Sequence, residues 1–322
     1  MKKRIAVCGS LAALAALICA PDEVTASCRY ALTLCAELIV PSLFPFFVLS
    51  LLLNRLGLPE LLGRLSSGMS KRLFNVSGAG ASALIMGLTG GYPLGAAYIA
   101  DMRRAGSVSA EEAERLMGFC NNSGPAFIIG AVGAGVFSSP RAGLYLYAVH
   151  IAAAICTGLI LRTDRALPDT CAGKSEDVRS DISFCTAFPA AVKQALVSVL
   201  NVCAFVVCFT VFVRLLDAEG FFSLSVGRIS AATGWELHRV RALLTGMLEL
   251  GSGVGAMRGM SVSAINLALA AFLVGWGGVS VHFQTMAVLA ESGIKGVLHF
   301  AGRLISASIA ALMGYFLYGA AF

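Results

Sequence analysis

Nine apolar segments, at about 5–20, 30–53, 79–100, 113–137, 142–161, 185–213, 242–257, 262–290 and 297–320, occupy most of this 322-residue chain. A run of about 20 apolar residues is what a helix needs to cross the hydrocarbon core of a bilayer. Lipid offers no partner to backbone N–H and C=O groups, so only helices and closed barrels span it. The runs here are continuous rather than alternating. The fold class expected is therefore an all-α polytopic membrane protein. Only 13% of the residues are charged, against about 25% in a soluble domain.

The first segment follows a basic start, "MKKRIAVCGSLAALAALICAPDE". It reads as an uncleaved first helix in preference to a cleaved signal peptide. A net charge of +6 spread over loops suits positive-inside topology and gives no nucleic-acid surface. The ten cysteines fall mostly inside apolar segments, with no CxxC or Cys/His cluster. They read as small buried hydrophobes, with neither a metal site nor a disulfide framework.

One clearly hydrophilic stretch, 162–184, separates two halves that correspond in position and character. "ELIVPSLFPFFVLSLLLNRL" from Glu37 matches "QALVSVLNVCAFVVCFTVFVRLL" from Gln194, and "GLTGGYPLGA" from Gly87 matches "GMLELGSGVGA" from Gly246. "CNNSGPAFIIGAVGAG" from Cys120 matches "GWGGVSVHFQTMAVLAESG" from Gly275, so the intervals are 157, 159 and 155 residues. Near-constant intervals indicate a duplicated unit of about 130 residues, the plan of many secondary transporters. The expected organisation is an N-terminal helix and loop (1–29), a first repeat (30–161), a hydrophilic cytoplasmic linker (162–184) and a second repeat (185–322).

The segments at 79–100 and 242–257 are broken by glycine-rich tips, "TGGYPLG" and "LGSGVG". Each half-segment is too short to span, so each pair reads as a re-entrant hairpin, with its irregular backbone buried or lining a cavity. The alternative is one kinked helix packed through Gly91/Gly95 or Gly251/Gly255. With hairpins that do not cross, each repeat has three crossings, and an odd number inverts the second repeat relative to the first. With the N-terminus inside, fifteen Lys and Arg fall on the inner side and seven on the outer, leaving aside Lys193 and Arg303 within helices. That asymmetry places the N-terminus in the cytoplasm. Residues 55–75 mix leucines with Arg64, Lys71 and Arg72, as an interfacial helix does. Their counterpart near 220–240 carries Trp235 as an interfacial anchor.

The chemistry is expected where helices stop and restart. Asn121, Asn122 and Ser123 read as N-cap residues, with Pro125 opening a new helix after one that ends near Phe119. Further restarts are expected after Gly90-Gly91, after Gly251-Ser252-Gly253 and after Gly277-Gly278 with Ser280. Four half-helix N-termini, two from each repeat, would then converge on one place near the bilayer midplane. Their free N–H groups and partial positive charge suit an anionic or hydrogen-bonding solute. Glu249, in an apolar run before the second tip, is costly there unless it serves the site or bonds unwound backbone. His282 is as well read as packing as ligand, and Gln284 follows it on the same helix. Thr89 and Tyr92 flank the first tip, where Tyr92 is placed to stack on a ring. Glu37, matched by Gln194, lies near one end of its segment.

Signals for an enzyme are thin. "GSGVGA" at 251–256 fits a dinucleotide-binding pattern, but no strand or acidic partner accompanies it. No cofactor is expected, and a coupling ion, sodium or proton, stays open.

Taken together, "VPSLFPFFVLSLLL", "GLTGGYPLGAAYIADM", "CNNSGPAFIIGAVGAG", "GMLELGSGV" and "GWGGVSVHFQTMAVLA" resemble the YlbJ-type (SpoVV) sporulation integral membrane proteins of the nucleoside-recognition (gate) domain group. The resemblance covers roughly 30 to 320. It implies a plan similar to concentrative nucleoside transporters and a place in endospore formation in the cell or outer forespore membrane of a Gram-positive bacterium. It also implies a role in moving dipicolinic acid, a planar dianion. The positions it marks are Thr89, Gly90, Gly91, Tyr92, Asn121, Asn122, Ser123, Glu249, Ser252, Gly277, Gly278, Ser280 and His282, to which the residues themselves add Gln284. The second tip has few polar groups, which leaves ion coupling open. The function expected is transport of a small carboxylate by alternating access. The alternatives are a nucleoside-type solute, or a non-transporting assembly factor that works through other sporulation membrane proteins or a homo-oligomer.

Overall fold

The computed structural model describes residues 2–164 and 183–322, and most of the linker expected at 162–184 lies outside them. Every regular element among the described residues is helical. Among the described residues, five helices are long and apolar enough to cross a membrane: Pro21–Arg55, Pro140–Ile160, Phe184–Ala218, Ala264–Leu289 and Val297–Phe316. α1 (Lys2–Cys19) precedes them and leaves Leu11, Leu14 and Ile18 exposed along its length.

The same order of elements occurs twice. In the first half, α2 (Pro21–Leu34) continues through a π-helical turn (Cys35–Ile39) into α3 (Val40–Arg55), forming one long rod. Then come α4 (Leu58–Phe74), the pair α5 (Gly78–Gly90) and α6 (Leu94–Arg104), α7 (Ala110–Phe119) with a π-helix (Ala126–Val136), and α8 (Pro140–Ile160). In the second half the sequence is α9 (Phe184–Ala218), α10 (Phe221–Thr233), α11 (Leu237–Leu248) with α12 (Leu250–Gly255), α13 (Ala264–Trp276) with α14 (Gly278–Leu289), and α15 (Val297–Phe316). α16 (Tyr318–Ala321) closes the chain.

Corresponding spans run antiparallel. Arg55, at the end of α3, bonds Gln194 near the start of α9 at 2.9 Å, while Arg214 at the far end of α9 stacks over Tyr30 at 4.1 Å. Likewise Tyr145, early in α8, donates to the carbonyl of Gly314, late in α15, at 3.0 Å. Antiparallel equivalents are what an inverted repeat requires.

The first rod begins at Pro21, earlier than the apolar pattern beginning at 30 indicates. Pro21 sits in the first turn with Asp22 and Glu23, where its missing N–H costs nothing and acids favour the helix dipole. α4 is amphipathic, exposing Leu61, Leu65 and Met69, and turns by 96° into α5. α10 exposes Phe221, Leu224 and Ile229 in the equivalent place, followed by the half-exposed Trp235.

Glycine contacts show that both broken segments double back. A Cβ on Gly95 would lie 3.0 Å from the Cα of Gly87, although eight residues of straight helix span about 12 Å. A Cβ on Gly253 would lie 2.1 Å from the Cα of Gly246. Each segment is therefore a helical hairpin and not a kinked helix, and the close pairs are Gly87/Gly95 and Gly246/Gly253. Gly91, with φ +77°, makes the first turn, a conformation open to glycine at little cost.

Candidate functional site

Both hairpins dock against the broken helix of their own half. The carbonyl of Cys120 inserts beside α5, so a Cβ on Gly87 would lie 1.5 Å from it, and Gly91 approaches Gly124 backbone to backbone. In the second half, Gly278 packs on the carbonyl of Gly246 and the amide of Leu250. The four interruptions thereby meet at one cavity. Gly90, Gly91 and Tyr92 line it from the first tip, and Ser123, Gly124 and Ala126 from the first break. Glu249, Leu250 and Gly251 come from the second tip, and Ser280, Val281 and Gln284 from the start of α14. Apolar walls are supplied by Phe46 and Phe47 of α3 and by Val202 and Val206 of α9. The space is about 40 Å³, room for a few waters.

Of the residues singled out in the sequence, Thr89, Gly90, Gly91, Tyr92, Ser123, Glu249, Ser280 and Gln284 line this cavity. The Thr89 hydroxyl bonds the carbonyl of Ile85 at 2.8 Å. Ser280 is buried, and its Oγ has no hydrogen-bond partner among the described residues.

Six others are not in the lining, and each has another use. Asn121 donates to Thr285 Oγ1 at 3.0 Å and accepts from the amide of Ala96 at 3.2 Å. Asn122 donates to the carbonyl of Phe119 at 2.7 Å. These asparagines therefore do not act as N-caps of the next helix, whose first turn has no side-chain cap; Asn122 turns back to close the end of α7. Ser252 pairs with Thr210 of α9 at 2.9 Å. His282 Nδ1 lies 3.0 Å from His299 Nε2, and its ring stands edge-on to Trp276, so it belongs to packing behind α14. Gly277 and Gly278, at φ +88° and +78°, form the break itself.

The second tip also differs from its expected form. The chain breaks at Glu249, which is extended (φ −138°, ψ 115°), and not after Gly253. The carboxylate of Glu249 accepts from the amides of Gly251 at 2.9 Å and Ser252 at 2.5 Å, starting α12 there. This is an N-cap that satisfies two otherwise orphaned donors. Glu37 sits midway along the first rod with its side chain exposed, and not at an end.

Two buried side chains that sequence reasoning did not select hold the first break. Arg303 of α15, fully buried, donates through Nη1 to the carbonyl of Asn121 at 2.6 Å and through Nη2 to Asn122 Oδ1 at 3.1 Å. His150 of α8 accepts from the amide of Ser123 at 3.1 Å. A backbone crossing makes this possible: a Cβ on Gly302 would lie 2.0 Å from the carbonyl of Gly118. Glu114 of α7 pins the start of α15, accepting from the amides of Gly296 and Leu298 at 2.9 and 3.0 Å. A lone cation inside an apolar 20-residue helix was the available signal for Arg303.

No family model matches the chain. Across 92% of its length it is 30% identical to the sporulation integral membrane protein YlbJ of Bacillus subtilis (strain 168), covering 78% of that protein. Its fold is similar to that of CNTnw, a concentrative nucleoside transporter solved as a double variant in an outward-facing state. The TM-score is 0.53 at 17% identity, over 87% of this chain and 76% of that one.

Proposed function

Because the chain belongs to the family of YlbJ-type sporulation integral membrane proteins, we propose that it carries a small solute across a membrane of the sporulating cell by alternating access. The solute we assign is a small carboxylate, dipicolinate above others. The observation that carries this reading is the meeting of all four chain interruptions at one cavity. Helix interruptions facing one another across an inverted repeat are how many secondary transporters build a solute site. The cavity also holds a ring, Tyr92, and the hydroxyl of Ser280, which has no hydrogen-bond partner among the described residues. A planar acid has use for both, through stacking and through a hydrogen bond.

In this account the N-terminus is cytoplasmic, the first hairpin enters from the cytoplasm and the second from the opposite side. Transport then requires the Gly91–Gly124 contact and the Gly278–Leu250 contact to open in turn. A second reading, a nucleoside-type solute, draws support from the transporter-like fold and from Gln284 in the lining.

The test is uptake of labelled dipicolinate into proteoliposomes, with and without excess uridine. Saturable uptake that uridine leaves unchanged supports the carboxylate reading. Competition by uridine moves the assignment to nucleosides. Absence of uptake under sodium and proton gradients alike rejects a self-sufficient carrier in favour of an assembly role.

A further inference from the structure

Arg303 carries a charge with no ion-pair partner among the described residues. It is 0% exposed, it takes part in none of the described ion pairs, and both its acceptors are neutral. Its Nε has no hydrogen-bond partner among the described residues. The titratable side chains around it are Tyr92, Cys120, His150, His282 and His299. His150 Nε2 accepts a backbone N–H, and His282 and His299 bond each other, so none of the three imidazoles brings a negative charge. The one carboxylate in the cavity wall, Glu249, is directed to two amides of its own helix start and forms none of the described ion pairs with Arg303. Tyr92 lies within electrostatic reach of both Glu249 and Arg303.

A lone guanidinium buried at membrane depth is expensive, and its field is only weakly screened there. Its two acceptors belong to Asn121 and Asn122, and the next residue along, Ser123, lines the cavity. We propose that Arg303 makes the cavity prefer anionic to neutral solutes, its charge acting through the break at Asn121–Ser123 without direct contact. This rests on the carrier reading above and adds the residue that sets its charge preference. Arg303 is a positioning and selectivity residue in this account. A purely structural arginine, closing the carbonyl end of α7, would support folding and leave the preference unchanged.

The experiment is calorimetric binding to the purified, detergent-solubilised protein of two ligands of one shape. These are pyridine-2,6-dicarboxylate and its neutral analogue, pyridine-2,6-dicarboxamide. The wild type is expected to favour the dianion by about tenfold or more, the scale of one charge acting across several ångströms of protein. Arg303→Lys should keep most of that preference, and Arg303→Met should bind the two alike. Ligand-free melting reports folding separately. Should Arg303→Met fail to fold, Asn122→Asp sets a carboxylate against Nη2 with Arg303 in place, and the preference should fall there too. An undiminished preference in Arg303→Met, or in a folded Asn122→Asp, overturns the role of Arg303 and leaves the carrier reading standing. A wild type that binds uridine but neither pyridine compound overturns the carboxylate reading and this inference with it.

Discussion

The guanidinium of Arg303 donates to the carbonyl oxygen of Asn121 at 2.6 Å, joining residues 182 positions apart. A helix of the second half thus holds open the break in the first. Glu114, fixing the start of α15, and Asn121, bonding Thr285, also tie the halves together. The hairpins, by contrast, meet the breaks through close glycine backbone and neutral hydrogen bonds, Ala96 N–H to Asn121 Oδ1 at 3.2 Å in the first half and Trp276 Nε1–H to the carbonyl of Met247 at 3.1 Å in the second. Such contacts separate without breaking an ion pair, which suits the opening that the proposed transport cycle requires.

Close glycine approach makes the hairpins intolerant of one methyl group. Gly87→Ala and Gly253→Ala should each destabilise the protein by about 1–3 kcal/mol, read as a lower melting temperature in detergent. Gly68→Ala, where an added Cβ meets nothing within 4 Å, should be neutral or slightly stabilising.

Glu249 acts as a helix cap, so its shape and its two acceptor oxygens matter together. Glu249→Gln should cost about 1–2 kcal/mol of stability by turning one acceptor into a donor against an amide. Glu249→Asp, still an N-cap carboxylate, should recover most of it. Loss of uptake in Glu249→Gln with an unchanged melting curve would instead mark Glu249 as a solute or ion ligand.

Ser280 presents a buried hydroxyl to the cavity with no hydrogen-bond partner among the described residues. Ser280→Ala should leave folding unchanged and weaken solute affinity by about two- to tenfold, the worth of one neutral hydrogen bond. Equal affinity in the two proteins would remove Ser280 from the site.

The antiparallel packing of the first rod against α9 brings the thiol of Cys35 to 4.0 Å from the carbonyl of Cys203. With the other cysteines replaced, mild oxidation should join Cys35 to Cys203 within one chain, seen as a shifted band after proteolysis in the linker. A Cys35/Cys208 pair should not join. Parallel spans would fail to give the first crosslink.

The fold was legible because its signals are local and repeat. The stop at Phe119 and restart at Pro125 are written in Asn121-Asn122-Ser123-Gly124-Pro125, and the doubled intervals paired each element with its equivalent. Side-chain direction was not legible. Asn121, Asn122 and Ser123 have the composition of an N-cap, but Arg303 approaches from a helix 182 residues away and draws Asn122 back towards α7. Glycines at 251 and 253 suggested a break, yet Glu249 supplies the cap that lets a helix run through them. His282 lies two residues from Ser280, about 200° around a helix, so one faces the cavity and the other His299. Arg303 and His150 went unselected because each lies within a continuous helix, far in sequence from the break it holds.

The most direct test of the shared cavity is ligand protection of one position from each half. Thr89→Cys and Ser280→Cys, each in a background free of other cysteines, would be treated with a small thiol reagent with and without dipicolinate. The account predicts that dipicolinate slows modification at both positions over the same concentration range. Protection at only one of them, or at neither while uptake proceeds, would contradict a single solute site built from both repeats.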